Sequence, residues 1–170
     1  MKILITGIGC IGKSSLRECI ASEFPDKVIS VDMDYTNEIP SDKNKVVIIE
    51  NVHGLEENAL LFDKILYLLP PKFHAILWLR RGWKWFTTGI VDFSNPKGKM
   101  KKYAFPNIPI ILKIIIRNIF MSRKWIRSDI AYIKNKISNN THITSSFIDG
   151  YQVIKYWILS HIDSNRITFQ

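Results

Sequence analysis

Cysteine is scarce: Cys10 and Cys19 are the only two in 170 residues. Two thiols cannot staple a fold, and their spacing is not that of a zinc site. Long apolar runs are missing too, since none reaches the roughly 18 residues that cross a bilayer. The strongest, IPIILKIIIRNIF, is broken by Lys113 and Arg117 and reads as a buried helix. No basic leader with a cleavage site precedes the first apolar run, so a cytoplasmic location is expected. Acidic residues fail in one region only. From Lys72 to Lys136 fifteen Lys or Arg face just Asp92 and Asp129. That segment carries +13, which leaves −4 for the remainder of a chain whose net charge is +9. Such polarity suits a polyanionic ligand: nucleotide phosphates, nucleic acid or an acidic membrane surface.

The apolar fraction of 46% and charged fraction of 23% belong to an ordinary globular domain, and the length fits a single one over residues 1–170. Short apolar runs bounded by turn residues predict strands at 2–6, 28–31, 46–50, 64–69 and 141–147. Helical spacing lies between them. Leu16, Ile20 and Phe24 recur every four residues. Pro70-Pro71 opens a helix that Gly82 should close. Residues 83–107 read as an exposed loop around SNPKGKMKK, followed by two helices separated near Ser122. Asp149 and Gln152 suggest a cap for the last helix. The expected class is α/β: about five parallel strands covered by helices, with a basic helical lid at 83–138 between strands four and five.

Residues Gly7 to Ser14 fit G-x-x-x-x-G-K-[ST] between a strand and a helix, where the chemistry of that loop requires it. Its amides form an anion nest, and the helix N-terminus adds partial positive charge. Gly7, Ile8, Gly9, Cys10, Ile11, Gly12, Lys13, Ser14 and Ser15 are therefore the expected ATP-phosphate site. Lys13 would reach the β- and γ-phosphates and Ser14 a Mg²⁺ ion. A guanine-reading N/T-K-x-D segment is missing: Asn135-Lys136 has no Asp two residues later. That turns the reading from a GTPase towards a small kinase.

VISVDMDY (28–35) resembles the second strand of uridine-kinase-like enzymes, which runs from a serine-aspartate segment into an aromatic pair. VVIIENVHGL (46–55) resembles the strand and E-G-L-H-G-L segment of uridine kinases and phosphoribulokinases, with Asn51 in place of a Gly. FDKILYLLPP and WLRRG are similar to that superfamily's fourth strand and arginine-bearing helix. The resemblance covers roughly 1–85 and, more faintly, 141–162. It implies a P-loop kinase fold, with Asp32 as the acceptor-activating aspartate and Glu50 and His53 as matched positions. Two features depart from it: the short span between Asp34 and Val46, and an 83–138 insertion unlike any familiar lid.

The residues support similar roles without the family. A strand-end carboxylate can take the proton of an attacking hydroxyl, and Asp32 and Asp34 both qualify. Their alternation sends them to opposite sides of a continuing strand. Asp-x-Asp also resembles shikimate kinases, where both could take part. Glu50 is a candidate for Mg²⁺, for the acceptor, or for a strand cap. Arg80 and Arg81 either stabilise charge on the migrating phosphoryl group or complement their helix dipole. RRGWKWF interleaves cations with Trp83, Trp85 and Phe86, as a base-stacking platform or as aromatics anchoring the lid. The expectation is an ATP- and Mg²⁺-dependent phosphotransferase acting on a nucleoside, nucleotide or similar acceptor. Its rivals are a polynucleotide 5′-hydroxyl kinase, with nucleic acid bound along 72–136, and a nucleic-acid-binding NTPase or regulator. Membrane adsorption of the basic segment is a third use for it.

Overall fold

The computed structural model describes residues 1–9, 11–32, 39–42, 44–51, 55, 59–88, 90–94, 100–104 and 108–167. The N-terminal half supplies β1 (Lys2–Gly7), α1 (Lys13–Glu23), β2 (Val28–Asp32), β3 (Val46–Glu50) and β4 (Lys64–Leu68). Next come α2 (His74–Thr88), β5 (Ile90–Ser94), β6 (Met100–Ala104), α3 (Ile108–Tyr132), β7 (Thr141–Thr144) and α4 (Phe147–Ile167). Five strands form one sheet in the order β2-β3-β1-β4-β7, and every pairing is parallel. The expected α/β class with a five-stranded parallel sheet is what the chain forms.

Side-chain alternation explains the two cores. Ile3, Ile5, Val46, Ile48, Leu66 and Leu68 point to one face, where Leu16 and Ile20 of α1 and Ile154 and Ile158 of α4 cover them. Leu4, Val47, Ile49, Ile65 and Tyr67 point to the other, beneath Leu55, Phe62, Ile133 and Ile137. Each fully buried branched side chain contributes about 1.5–3 kcal/mol. A strand buried on both faces needs the unbroken apolar run that β3 has. Tyr67 is anchored on the second face, its hydroxyl donating to Asp129 Oδ2 at 2.7 Å.

Four local expectations are corrected. The helix expected to stop at Gly82 continues to Thr88. Gly82 is buried, and a Cβ there would lie 2.2 Å from Ile115 Cδ1, so it permits close packing against α3. Residues 83–107 are not all loop: β5 and β6 form an antiparallel hairpin with Asp92 opposite Lys102. The two helices expected around Ser122 are one. Ser122 sits buried inside α3, its hydroxyl donating to Ile119 O and meeting His74 Nε2 at 2.9 Å. Beyond Tyr132 the helix widens into a π stretch, Ile133–Ile137, that reaches the sheet. Finally, Ser146 rather than Asp149 caps α4, accepting from the Asp149 amide at 3.2 Å. Asp149 instead accepts from His142 Nε2 at 2.9 Å, which holds its carboxyl below the usual range.

The α2–α3 pair has its own core of Trp78, Trp85, Ile111 and Ile115. No helix among the described residues is long and apolar enough to cross a membrane. Because Trp85 is 1% exposed within that separate cluster, Trp85→Ala should cost about 3–5 kcal/mol locally. Amide exchange should accelerate in α2 and the first half of α3 well before it does in β1 and β3. Equal acceleration throughout would show that the two cores are one cooperative unit.

Candidate functional site

The loop after β1 is built around two glycines. Gly7 has φ 132°, and a Cβ on it would lie 2.4 Å from the Leu68 carbonyl oxygen of the neighbouring strand. Gly12 has φ 89° and precedes α1 in the left-handed region that glycine favours. It provides no side-chain cap, and no acidic residue occupies the first turn of α1. The residue before the helix thus offers its first amides no side-chain acceptor. Gly9 lies under Trp78, where a Cβ would meet the indole at 3.1 Å. The Trp78 indole N–H is buried with no partner among the described residues. The loop is therefore packed closely between the Leu68 carbonyl and the Trp78 indole, with room for backbone only at Gly7 and Gly9.

Lys13 opens α1 and is only 3% exposed. Its Nζ donates to Ile8 O at 2.8 Å, folding the cation back across the loop. One position on, Ser14 Oγ donates to Glu50 Oε1 at 2.9 Å. Arg17 follows on the same helical face. Its Nε donates to Glu50 Oε2 at 3.3 Å, Nη1 donates to Ser30 Oγ at 2.8 Å, and Nη2 lies 3.6 Å from Asp32 Oδ2. Register explains the convergence. Asp32 and Glu50 are paired positions on β2 and β3, and Glu50 is opposite Ile5 of β1.

This crevice has a topological cause. The chain leaves β1 through α1 on one face of the sheet and leaves β3 across the other face. Adjacent strands whose connections diverge open a cleft at their carboxyl ends, where ligands of parallel α/β sheets bind. Lys13, Ser14, Asp32 and Glu50 meet there. Burial pushes the Glu50 carboxyl up, and nearby Asp32 pushes the same way; Lys13, the Ser14 hydrogen bond and Arg17 pull it down. A hydroxyl beside a carboxylate is a hard-oxygen donor pair suited to Mg²⁺. Among the described residues no group of three or more His, Cys, Asp or Glu gathers as a dedicated metal cage. Magnesium in phosphate sites ordinarily takes one or two carboxylates together with phosphate oxygens.

The other expected positions are distributed differently. Ile8 is buried, Ile11 half-buried and Ser15 exposed. Cys10, Asp34 and His53 lie outside the described residues. Arg80 is exposed on α2, and the Arg81 guanidinium lies over the Trp85 ring, 5.5 Å from its centroid. Of the aromatic stretch, Trp85 is core while Trp83 and Phe86 are exposed, their rings 6.0 Å apart. Arg17 is the residue that motif reading passes over. Its signal was spacing: three and four residues beyond Ser14 and Lys13 places it on their face of the helix. Ser30 and Asp32, two apart, share one side of β2.

No family model matches this chain, and no curated protein does.

Two outcomes test the geometry. Gly7→Ala forces a side chain into left-handed backbone against a carbonyl, so unfolding should show a loss of at least about 2 kcal/mol. A change within about 0.5 kcal/mol would show that the loop adapts. Glu50, whose folded pKa is raised, binds more protons folded than unfolded. Its stabilising contribution is present below the ordinary glutamate range and is lost as pH rises through the raised value. Relative to Glu50→Gln, the native protein should therefore lose unfolding free energy between acidic and neutral pH; parallel curves would contradict this.

Proposed function

We propose that the protein is an ATP- and Mg²⁺-dependent phosphotransferase that moves a γ-phosphate to a nucleoside, nucleotide or similarly sized acceptor. The observation that carries this reading is the meeting of Lys13 and Ser14 with two strand-end carboxylates, Asp32 and Glu50, at the switch point of a parallel sheet. A switch or hydrolase needs only to position a water. A transferase needs a group to orient a second molecule, and a carboxylate beside the phosphate loop suits that task.

The roles divide as follows. Loop amides and Lys13 hold the donor's phosphates. Ser14 and Glu50 are the residues that would hold Mg²⁺, which would supply charge neutralisation on the donor's phosphates. Asp32 receives the proton of the acceptor hydroxyl, with Asp34 as the alternative base. Arg17 is a positioning residue, since it fixes Asp32 and Glu50 through one rigid fork. Arg80, exposed on α2, and Arg81, which lies over Trp85, are the cations assigned in this proposal to charge on the migrating group.

Incubation with γ-labelled ATP and separate pools of nucleosides, nucleotides and 5′-hydroxyl oligonucleotides decides the matter. Label in a small-molecule pool is expected. Label in oligonucleotides would favour a polynucleotide kinase, and free phosphate alone a hydrolase or regulator. Asp32→Asn should lower transfer about 10²–10⁴-fold while ATP affinity stays nearly constant. Unaltered transfer would remove Asp32 from its role. Lys13→Met should instead abolish ATP binding itself.

A further inference from the structure

The α2–α3 pair leaves large apolar side chains in solvent on its outer side. Along α2, Ile76, Trp83 and Phe86 share one face at helical spacing, away from the buried Trp78 and Trp85. Along α3, Leu112, Ile116 and Phe120 recur every four residues. Trp83 is 68% exposed and Phe120 76%. The helices are antiparallel, with His74 against Ser122 near one end and Gly82 against Ile115 further along. The two stripes adjoin: Ile76 and Phe120 line one groove of about 230 Å³, rimmed by Lys72 and Arg123.

The charge around these stripes has one sign. α2 and α3 together contain eight Lys or Arg and a single acid, Asp129, which accepts from Tyr67. We propose that this face docks on an anionic lipid surface, lying in the plane of the headgroups with its apolar ridge among the acyl chains. An amphipathic face with aromatic and aliphatic residues bordered by cations is what such an interface selects. Nucleic acid matches the charge but not the aliphatics, because its interfaces are polar and use aromatics for stacking. A second copy matches the apolar ridge but would bring two strongly cationic faces together. An anionic bilayer satisfies both features. No described helix spans a membrane, so the chain would lie on the bilayer rather than cross it.

Co-sedimentation with vesicles tests this independently of phosphotransfer. The intact protein should pellet with phosphatidylcholine vesicles containing about a quarter phosphatidylglycerol and stay in solution with phosphatidylcholine alone. Raising salt from about 0.1 to about 0.5 M should weaken the binding. The paired change Trp83→Ala and Phe120→Ala, both at exposed positions, should reduce partition about tenfold or more. It should leave thermal unfolding and ATP binding unchanged. No partition to the anionic vesicles, or equal partition by the paired variant, overturns the proposal. So does oligonucleotide binding or dimer formation that the paired variant abolishes while vesicles retain neither protein. Lys113→Glu with Arg117→Glu gives a second reading from the charge side, and unchanged binding by that variant also counts against the proposal.

Discussion

Two carboxylates at the ends of adjacent strands must be reconciled before anything else at this end of the molecule can form. Asp32 and Glu50 occupy paired positions on β2 and β3. Like charges brought close together repel, and the Asp32 carboxylate raises the Glu50 pKa accordingly. Glu50 is also buried, which disfavours its ionised form. The sequence meets this with cations from one short helix. Lys13 and Arg17 lie a turn apart on α1, and Arg17 spreads its donors over Ser30, Asp32 and Glu50. Removing Arg17 would leave the buried Glu50 and the half-buried Asp32 with less compensation, which is costlier than losing a surface ion pair.

The same constraint fixes the loop. For Lys13 and Ser14 to reach Glu50, α1 must start close to the sheet, immediately beyond β1. The chain therefore turns within a few residues while β1 still pairs with β4. That proximity is why a side chain at Gly7 would strike the Leu68 carbonyl. It is also why Gly12 takes a left-handed conformation directly before the helix. From the other side, Trp78 lies over Gly9. The loop is thus shaped by contacts from β4, α1 and α2 together.

How much of this was legible follows from the range of each interaction. The five strands were readable because each is a short apolar run with turn residues at its ends. The place of the loop between β1 and α1 was readable because its motif is local, packed into eight consecutive residues. The bonds of Arg17 were not, since they join positions 13 and 33 residues away along the chain. Gly82 and Ser122 misled for a related reason. Both are stop signals by local preference, yet both serve close packing between α2 and α3, and tertiary contact overrides the weak local term. Ser146 was missed because Asp149 resembled a cap, although its carboxylate is engaged with His142. The hairpin of β5 and β6 has a pairing set by register between segments that individually look polar and irregular.

On the two proposals, the uneven charge of the chain divides between two tasks in different places. Around the loop after β1, Lys13 and Arg17 are already committed to Ile8, Glu50, Ser30 and Asp32. The two cations and the two carboxylates at that end of the sheet therefore offset one another. The cations of α2 and α3 are not required for that balance. They accompany an outer face whose apolar side chains have no cover, while the pair keeps a dry core of its own in Trp78, Trp85, Ile111 and Ile115. A helix needs one apolar face to pack in a protein. A second, on the opposite side and bordered by cations, contributes nothing to the fold and is exposed at a cost in solubility. The proposed anionic lipid surface would match both its apolar ridge and its cations.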